Sequence, residues 1–105
     1  MKRGEVWWAD LGPPAGKRPV LLLSLDEAYA VRELVIVAPV TTRQRQIPTE
    51  VPLGLDDGLP KPCVINTDTL TTIARACLRE RQAVLSPEKM QAVESALHFA
   101  LGMKN

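Results

Sequence analysis

The run Leu34-Val35-Ile36-Val37-Ala38-Pro39-Val40 constrains this chain more than any other segment. Val35, Ile36, Val37 and Val40 are β-branched, stiff at χ1 and better suited to a pleated strand than to a helix. Pro19-Val20-Leu21-Leu22-Leu23-Ser24 is a second strand without polar alternation, so burial on both faces is expected, with Pro19 at its first residue. Glu5-Val6-Trp7-Trp8-Ala9-Asp10 forms a strand before it, closed by the turn-forming Gly12-Pro13-Pro14-Ala15-Gly16. Asp26 to Val31 reads as one or two helical turns. Glu50-Val51-Pro52-Leu53 reads as a short edge strand, because Pro52 cannot donate to a second neighbour. Asp56 to Pro62 is turn chemistry, and Cys63 to Asn66 and Thr69 to Ile73 read as further strands.

The pattern then changes period. Ser86 suits a helix N-cap, Pro87 the first helical position and Glu88 the positive end of the dipole. Met90, Val93, Leu97, Ala100 and Leu101 recur at helical spacing, and Gly102 can supply a left-handed C-terminal cap. Strands followed by one amphipathic helix predict a mainly β fold: a strongly bent antiparallel sheet or small barrel packed by a C-terminal helix. A chain of 105 residues with no repeat or linker is read as one domain, residues 1–105.

No apolar run approaches the roughly 20 residues of a membrane helix. The basic start Met1-Lys2-Arg3-Gly4-Glu5 leads into no signal-like apolar segment, so a cytoplasmic protein with no membrane partner is expected. Two cysteines, Cys63 and Cys77, lack metal spacing, and a single His98 leaves too few ligands for zinc, so no metal site is expected. A net charge of +1 announces no polyanionic partner by itself, although basic residues recur as Lys2-Arg3, Lys17-Arg18, Arg43 with Arg45, and Arg79 with Arg81.

Three polar residues stand at the expected ends of strands. Arg18 lies between a Gly/Pro-rich turn and a buried strand, where rigid backbone fixes its stem and its forked guanidinium can meet phosphate oxygens; the plainer alternative is a surface arginine. Thr41 follows a buried strand in the same way, and its hydroxyl can donate to a phosphate oxygen. Asp68, amid Asn66, Thr67 and Thr69, is a possible proton acceptor or simply a turn-forming aspartate. Trp7 and Trp8 are adjacent and point to opposite faces of a strand. One belongs to the core, and the other is free to stack on a base or a partner.

Taken in order, these segments resemble the MazF/PemK toxin endoribonucleases over nearly the whole chain. The resemblance is carried by Arg3 to Pro13, by Arg18-Pro19-Val20 opening the second strand, by Val37-Ala38-Pro39-Val40-Thr41-Thr42, by Val64 to Asp68 with Thr71-Thr72-Ile73, and by Leu85 to Leu101. It implies an SH3-like barrel shared with the CcdB toxins, a homodimer binding RNA near its groove, and a MazE-like antitoxin as partner. It also implies cofactor-free cleavage of single-stranded RNA by 2′-hydroxyl attack, leaving a 2′,3′-cyclic phosphate and a 5′-hydroxyl. By resemblance Arg18, Thr41 and Asp68 are catalytic. Trp8, Lys17, Thr42, Arg43, Arg45 and Asn66 are read as RNA-binding, Asn66 standing where some members carry an arginine. The loop from Gly12 to Lys17 is shorter than the family's first loop and lacks its acidic residue. The alternative is a non-catalytic CcdB-like module that inhibits a protein such as gyrase; a pure binder would need neither Arg18 nor Thr41.

Overall fold

A computed structural model describes residues 1–104. The chain forms β1 (Glu5–Asp10), β2 (Lys17–Leu22), a single helical turn α1 (Ala28–Val31), β3 (Leu34–Thr41), β4 (Glu50–Leu53), β5 (Cys63–Asn66), β6 (Thr71–Ala74), β7 (Leu78–Val84) and α2 (Pro87–Ala100). The strands make one antiparallel sheet ordered β4-β5-β3-β2-β1-β7, with β6 alongside β3. β3 is long enough to serve two partners on one side, pairing with β6 through Leu34–Val37 and with β5 through Val40 and Thr41. The sheet curls there into a half-barrel, the small mainly β fold that the strand pattern predicts.

Both faces of the central strands are covered. Val6, Leu21, Ala38, Val40, Ile65 and Val93 belong to one apolar cluster, roofed by α2. Ala9, Val20, Leu22, Val35, Val37 and Ile73 form another on the opposite face, beneath Tyr29 of α1. This double burial explains why β2 and β3 read as continuous apolar runs. Trp7 packs against the second cluster while Trp8, its neighbour, remains 36% exposed, the split required of adjacent strand residues. α2 begins as its sequence dictates, Ser86 Oγ accepting from Lys89 N at 3.1 Å, and ends before Gly102 at φ 68°. No helix among the described residues is long and apolar enough to cross a membrane.

Three local expectations need correction, and one strand was not expected at all. β2 starts at Lys17, so Pro19 is its third residue rather than its first; the pairing with β3 begins only at Val20, which leaves the missing amide hydrogen without a ladder partner to lose. Asp68 does not end a strand but sits on a 3-10 turn, Thr67–Thr69, with β6 following from Thr71. Leu101 is 57% exposed beyond the helix end, and Ala96 takes the buried place beside Val93. The segment Leu78–Val84 is an unforeseen edge strand.

Leu21 is fully buried at the centre of the sheet. Leu21→Ala is expected to cost about 2–5 kcal/mol in chemical denaturation, the usual range for an unrelaxed leucine cavity; a shift well below 1 kcal/mol would contradict this account of the core.

Candidate active site

The pairing of β2 with β3 sets the site. Val20 faces Pro39, and Leu22 faces Val37. Carried two residues outward, the same register sets Arg18 across from Thr41. On this face the apolar column ends, and a guanidinium and a hydroxyl stand where the core meets solvent.

Two recesses open on either side of this pair. One, of about 480 Å³, is lined by Arg18, Thr41, Arg43, Arg45, Asn66 and Thr69. Asn66 enters because β5 pairs with β3 through Val40 and Ile65, which brings the end of β5 beside Pro39 and Thr41. The other, of about 210 Å³, has Trp8, Lys17 and Thr42 in its wall, again with Arg18 and Thr41. Arg18 and Thr41 are therefore the shared wall. Of the nine residues singled out in the sequence, eight line one recess or both.

Asp68 is the ninth. Its Oδ2 accepts from Thr49 Oγ1 at 2.6 Å, and its amide donates to Asn66 Oδ1 at 2.9 Å. It is exposed on the 3-10 turn, one residue from Thr69, and lines neither recess. The convergence expected of three groups is thus realised by two.

Each residue of the shared pair is held by one local hydrogen bond and keeps donor capacity free. Arg18 Nε donates to Ala15 O at 3.1 Å, which fixes the stem from within the short first loop and leaves both terminal nitrogens to other acceptors. Arg18 and Arg43 take part in no ion pair among the described residues. Thr41 Oγ1 accepts from Arg43 N at 3.2 Å, so its remaining capacity includes the hydroxyl proton, a donor at hydrogen-bond range of whatever occupies the recess. Among the described residues no group of three or more His, Cys, Asp or Glu side chains is placed to hold a metal ion.

The loop that carries the arginines rests on Glu50, a residue the sequence reading passed over. Its Oε1 accepts from Arg45 N at 2.8 Å and Gln46 N at 3.0 Å, and its Oε2 from Arg45 Nε at 3.1 Å. Gln46 adopts φ 56°, the left-handed region that a β-carbon disfavours, and the bond from its amide helps hold it there. The Arg45 amide bond holds the Glu50 carboxyl below its ordinary range. Burial opposes this, and the Arg45 guanidinium and Gln46 amide reinforce it. A second buried carboxylate, Glu5, braces β1 against β7. Burial pushes it up, but bonds from Trp7 Nε1, the Lys2 amide and Arg81 outweigh that and leave it lowered.

The chain and its fold are similar to known proteins. Residues 2–101 match the family described as PemK-like, MazF-like toxin of type II toxin-antitoxin system. A probable endoribonuclease MazF5 of Mycobacterium tuberculosis is 36% identical over 100 residues, 94% of this chain and 91% of that protein. Among solved structures, the Mycobacterium tuberculosis toxin MazF-mt6 superposes with a TM-score of 0.89 at 30% identity, over 96% of this chain and 99% of that one. An endoribonuclease in complex with its cognate antitoxin from mycobacterial species gives 0.88 at 31%, over 100% and 98%. This chain belongs to the PemK/MazF toxin family.

A depressed carboxyl stabilises the native state fully above its unfolded pKa, and that contribution disappears as pH falls through the native value. Glu50 and Glu5 should therefore steepen the loss of stability below about pH 4.3, the ordinary glutamate value. Glu50→Gln, followed by denaturant unfolding from pH 7 to pH 3, should flatten that acid limb; an acid limb as steep as in the unmutated protein would remove Glu50 from the account.

Proposed function

We propose that this chain is a metal-independent endoribonuclease toxin, cutting single-stranded RNA on the wall formed by Arg18 and Thr41. The observation that carries the reading is a guanidinium with no ion-pair partner among the described residues, sharing the wall of two cation-lined recesses with a threonine hydroxyl. RNA cleavage of this kind begins with attack of the ribose 2′-oxygen on the adjacent phosphorus. The bond from phosphorus to the 5′-oxygen breaks, leaving a 2′,3′-cyclic phosphate and a 5′-hydroxyl. Negative charge grows on the non-bridging oxygens along the way, and preorganised donors stabilise it more than they stabilise the ground state.

In this reading Arg18 meets those oxygens with its two free nitrogens, and Thr41 donates from the facing strand. Charge stabilisation is the role that suits Arg18, because a guanidinium with a pKa above about 12 gives up a proton reluctantly. Arg43, Arg45 and Asn66 hold the RNA backbone on one side, with Lys17 and Thr42 on the other, where Trp8 offers a face to a base. Asp68, expected from the resemblance to accept a proton, bonds Thr49 instead, and its share in the chemistry is proposed to be small. The reading includes a cytoplasmic homodimer neutralised by a cognate antitoxin. The antitoxin complex of the mycobacterial neighbour and the uncompensated arginines here support an acidic antitoxin segment as that partner.

Purified protein in EDTA should convert single-stranded RNA into fragments with 5′-hydroxyl ends. Arg18→Ala should lower the rate by about 100-fold or more, as loss of a key oxyanion donor does. Intact RNA together with inhibited gyrase would favour the binding module, and a metal requirement would contradict the mechanism. Asp68→Asn should retain most of the activity under the same assay; a loss equal to that of Arg18→Ala would restore Asp68 to the centre.

A further inference from the structure

The smaller recess has features that phosphate binding does not use. Its far wall is built from β7, the loop between β4 and β5 and the first residue of β5, with Leu59, Lys61, Cys63 and Gln82 lining the recess together with Trp8. Gln82 is only partly exposed, and its Oε1 is buried without a hydrogen-bond partner among the described residues. A buried amide oxygen left unpaired costs roughly 1–3 kcal/mol, so such an atom in a native fold calls for a reason.

The backbone supplies a second observation. In the pairing of β1 with β7, Val6 faces Ala83 and Trp7 faces Arg81, so Gln82 is the extra residue of a β-bulge. Bulges break the alternation of side chains and re-aim one of them, and they recur beside active sites. The loop wall is pressed against the same stretch: Gly58, at φ 90°, lies where a β-carbon would come within 3.2 Å of Ala83 Cβ. β7 and its neighbouring loop are thus shaped together around the recess.

We infer that this recess is a subsite for a single unpaired nucleobase, flanking the scissile phosphate, in which Gln82 reads the base edge. The inference rests on the ribonuclease reading. A volume of about 210 Å³ falls below the roughly 300–1,000 Å³ of drug-sized ligand sites and suits a fragment of one ring system. Trp8, 36% exposed, supplies the flat apolar surface on which a base stacks. Leu59 and Cys63, both buried, keep the floor dry, so a hydrogen bond there discriminates strongly. Gln82 Oε1 then accepts an N–H from the base, the pairing for which glutamine is suited on exposed base edges. Lys17 and Lys61 at the rim face the backbone phosphates on either side.

The test is a randomised single-stranded RNA library cut by the intact protein, with sequencing of the new 5′-hydroxyl ends. The unmutated protein should show a base preference at one position beside the cut. Gln82→Met, similar in length but without the acceptor, should weaken that preference about tenfold, the value of one base-edge hydrogen bond, while total cleavage stays within a few-fold. Gln82→Glu, an acceptor-only side chain, should tilt the preference toward bases carrying an amino group and away from uracil. Both variants are first shown to be folded by thermal melting. Independently of cleavage, titration with nucleosides should shift the Gln82 amide and Trp8 indole NMR signals together. If the unmutated protein cuts RNA but folded Gln82→Met keeps the same preference, the subsite assignment falls and the ribonuclease reading stands. If the unmutated protein leaves RNA whole, the ribonuclease reading falls; joint NMR shifts would then keep the pocket as a base site, and silent spectra would end both.

Discussion

Everything at the site depends on the register between β2 and β3. These strands are apolar on both faces, so alternation of polarity, which fixes register in a half-exposed sheet, gives little guidance along their length. What fixes it is where each run stops. β2 turns polar at Arg18 and Lys17, and β3 turns polar at Thr41 and Thr42, all at one end of the sheet. A two-residue slip inward would draw the Arg18 guanidinium into the space of Val20, and a buried unpaired charge costs several kcal/mol. The core therefore positions Arg18 and Thr41 by refusing to admit the guanidinium. Arg18 is exposed because it is charged, and it is opposite Thr41 because the apolar residues behind both are packed.

Charge is concentrated rather than abundant. With a net charge of +1, the protein as a whole has little field to attract a polyanion. Its cations at the site stand without equal numbers of carboxylates, and the one carboxylate bonded into the arginine loop, Glu50, is buried beneath it with a side chain only 2% exposed. That position allows Glu50 to shape the loop while presenting little negative surface to a substrate. Arg45 consequently has a double role. Its Nε and amide secure the loop, and its other nitrogens still line the recess.

The legible parts of this fold were those governed by long apolar runs and by caps. β3, the edge strand around Pro52, and α2 from Ser86 to Gly102 all lie where their residues predict. β7 escaped because Arg79, Glu80 and Arg81 interrupt its apolar pattern and because it has two shifts of register against β1, which destroy the period of two on which recognition of a strand rests. Asp68 was misplaced for a related reason: Thr67–Thr69 is a tight turn between two strands, and its β-branched composition mimics a strand. Glu50 gave no local signal, since its importance lies in bonds to Arg45 and Gln46 that only the returning loop creates.

The same contrast separates the chemistry of the site from its selectivity. Arg18 and Thr41 lie on central strands, each paired on its other side, Arg18 with Ala9 of β1 and Thr41 with Val64 of β5, just beyond the packed β2–β3 ladder. Most of the far wall of the smaller recess comes from an edge strand with bulges and from a loop, with only Cys63 supplied by a strand paired on both sides. Substitution at Gln82 or Lys61 alters what the recess accepts while leaving the register of β2 and β3 untouched. A fold arranged this way can change which RNA it cuts without changing how it cuts. The short loop from Gly12 to Lys17 fits the same division: through Ala15 it braces Arg18, while Lys61 and Gln82 line the smaller recess from the opposite wall.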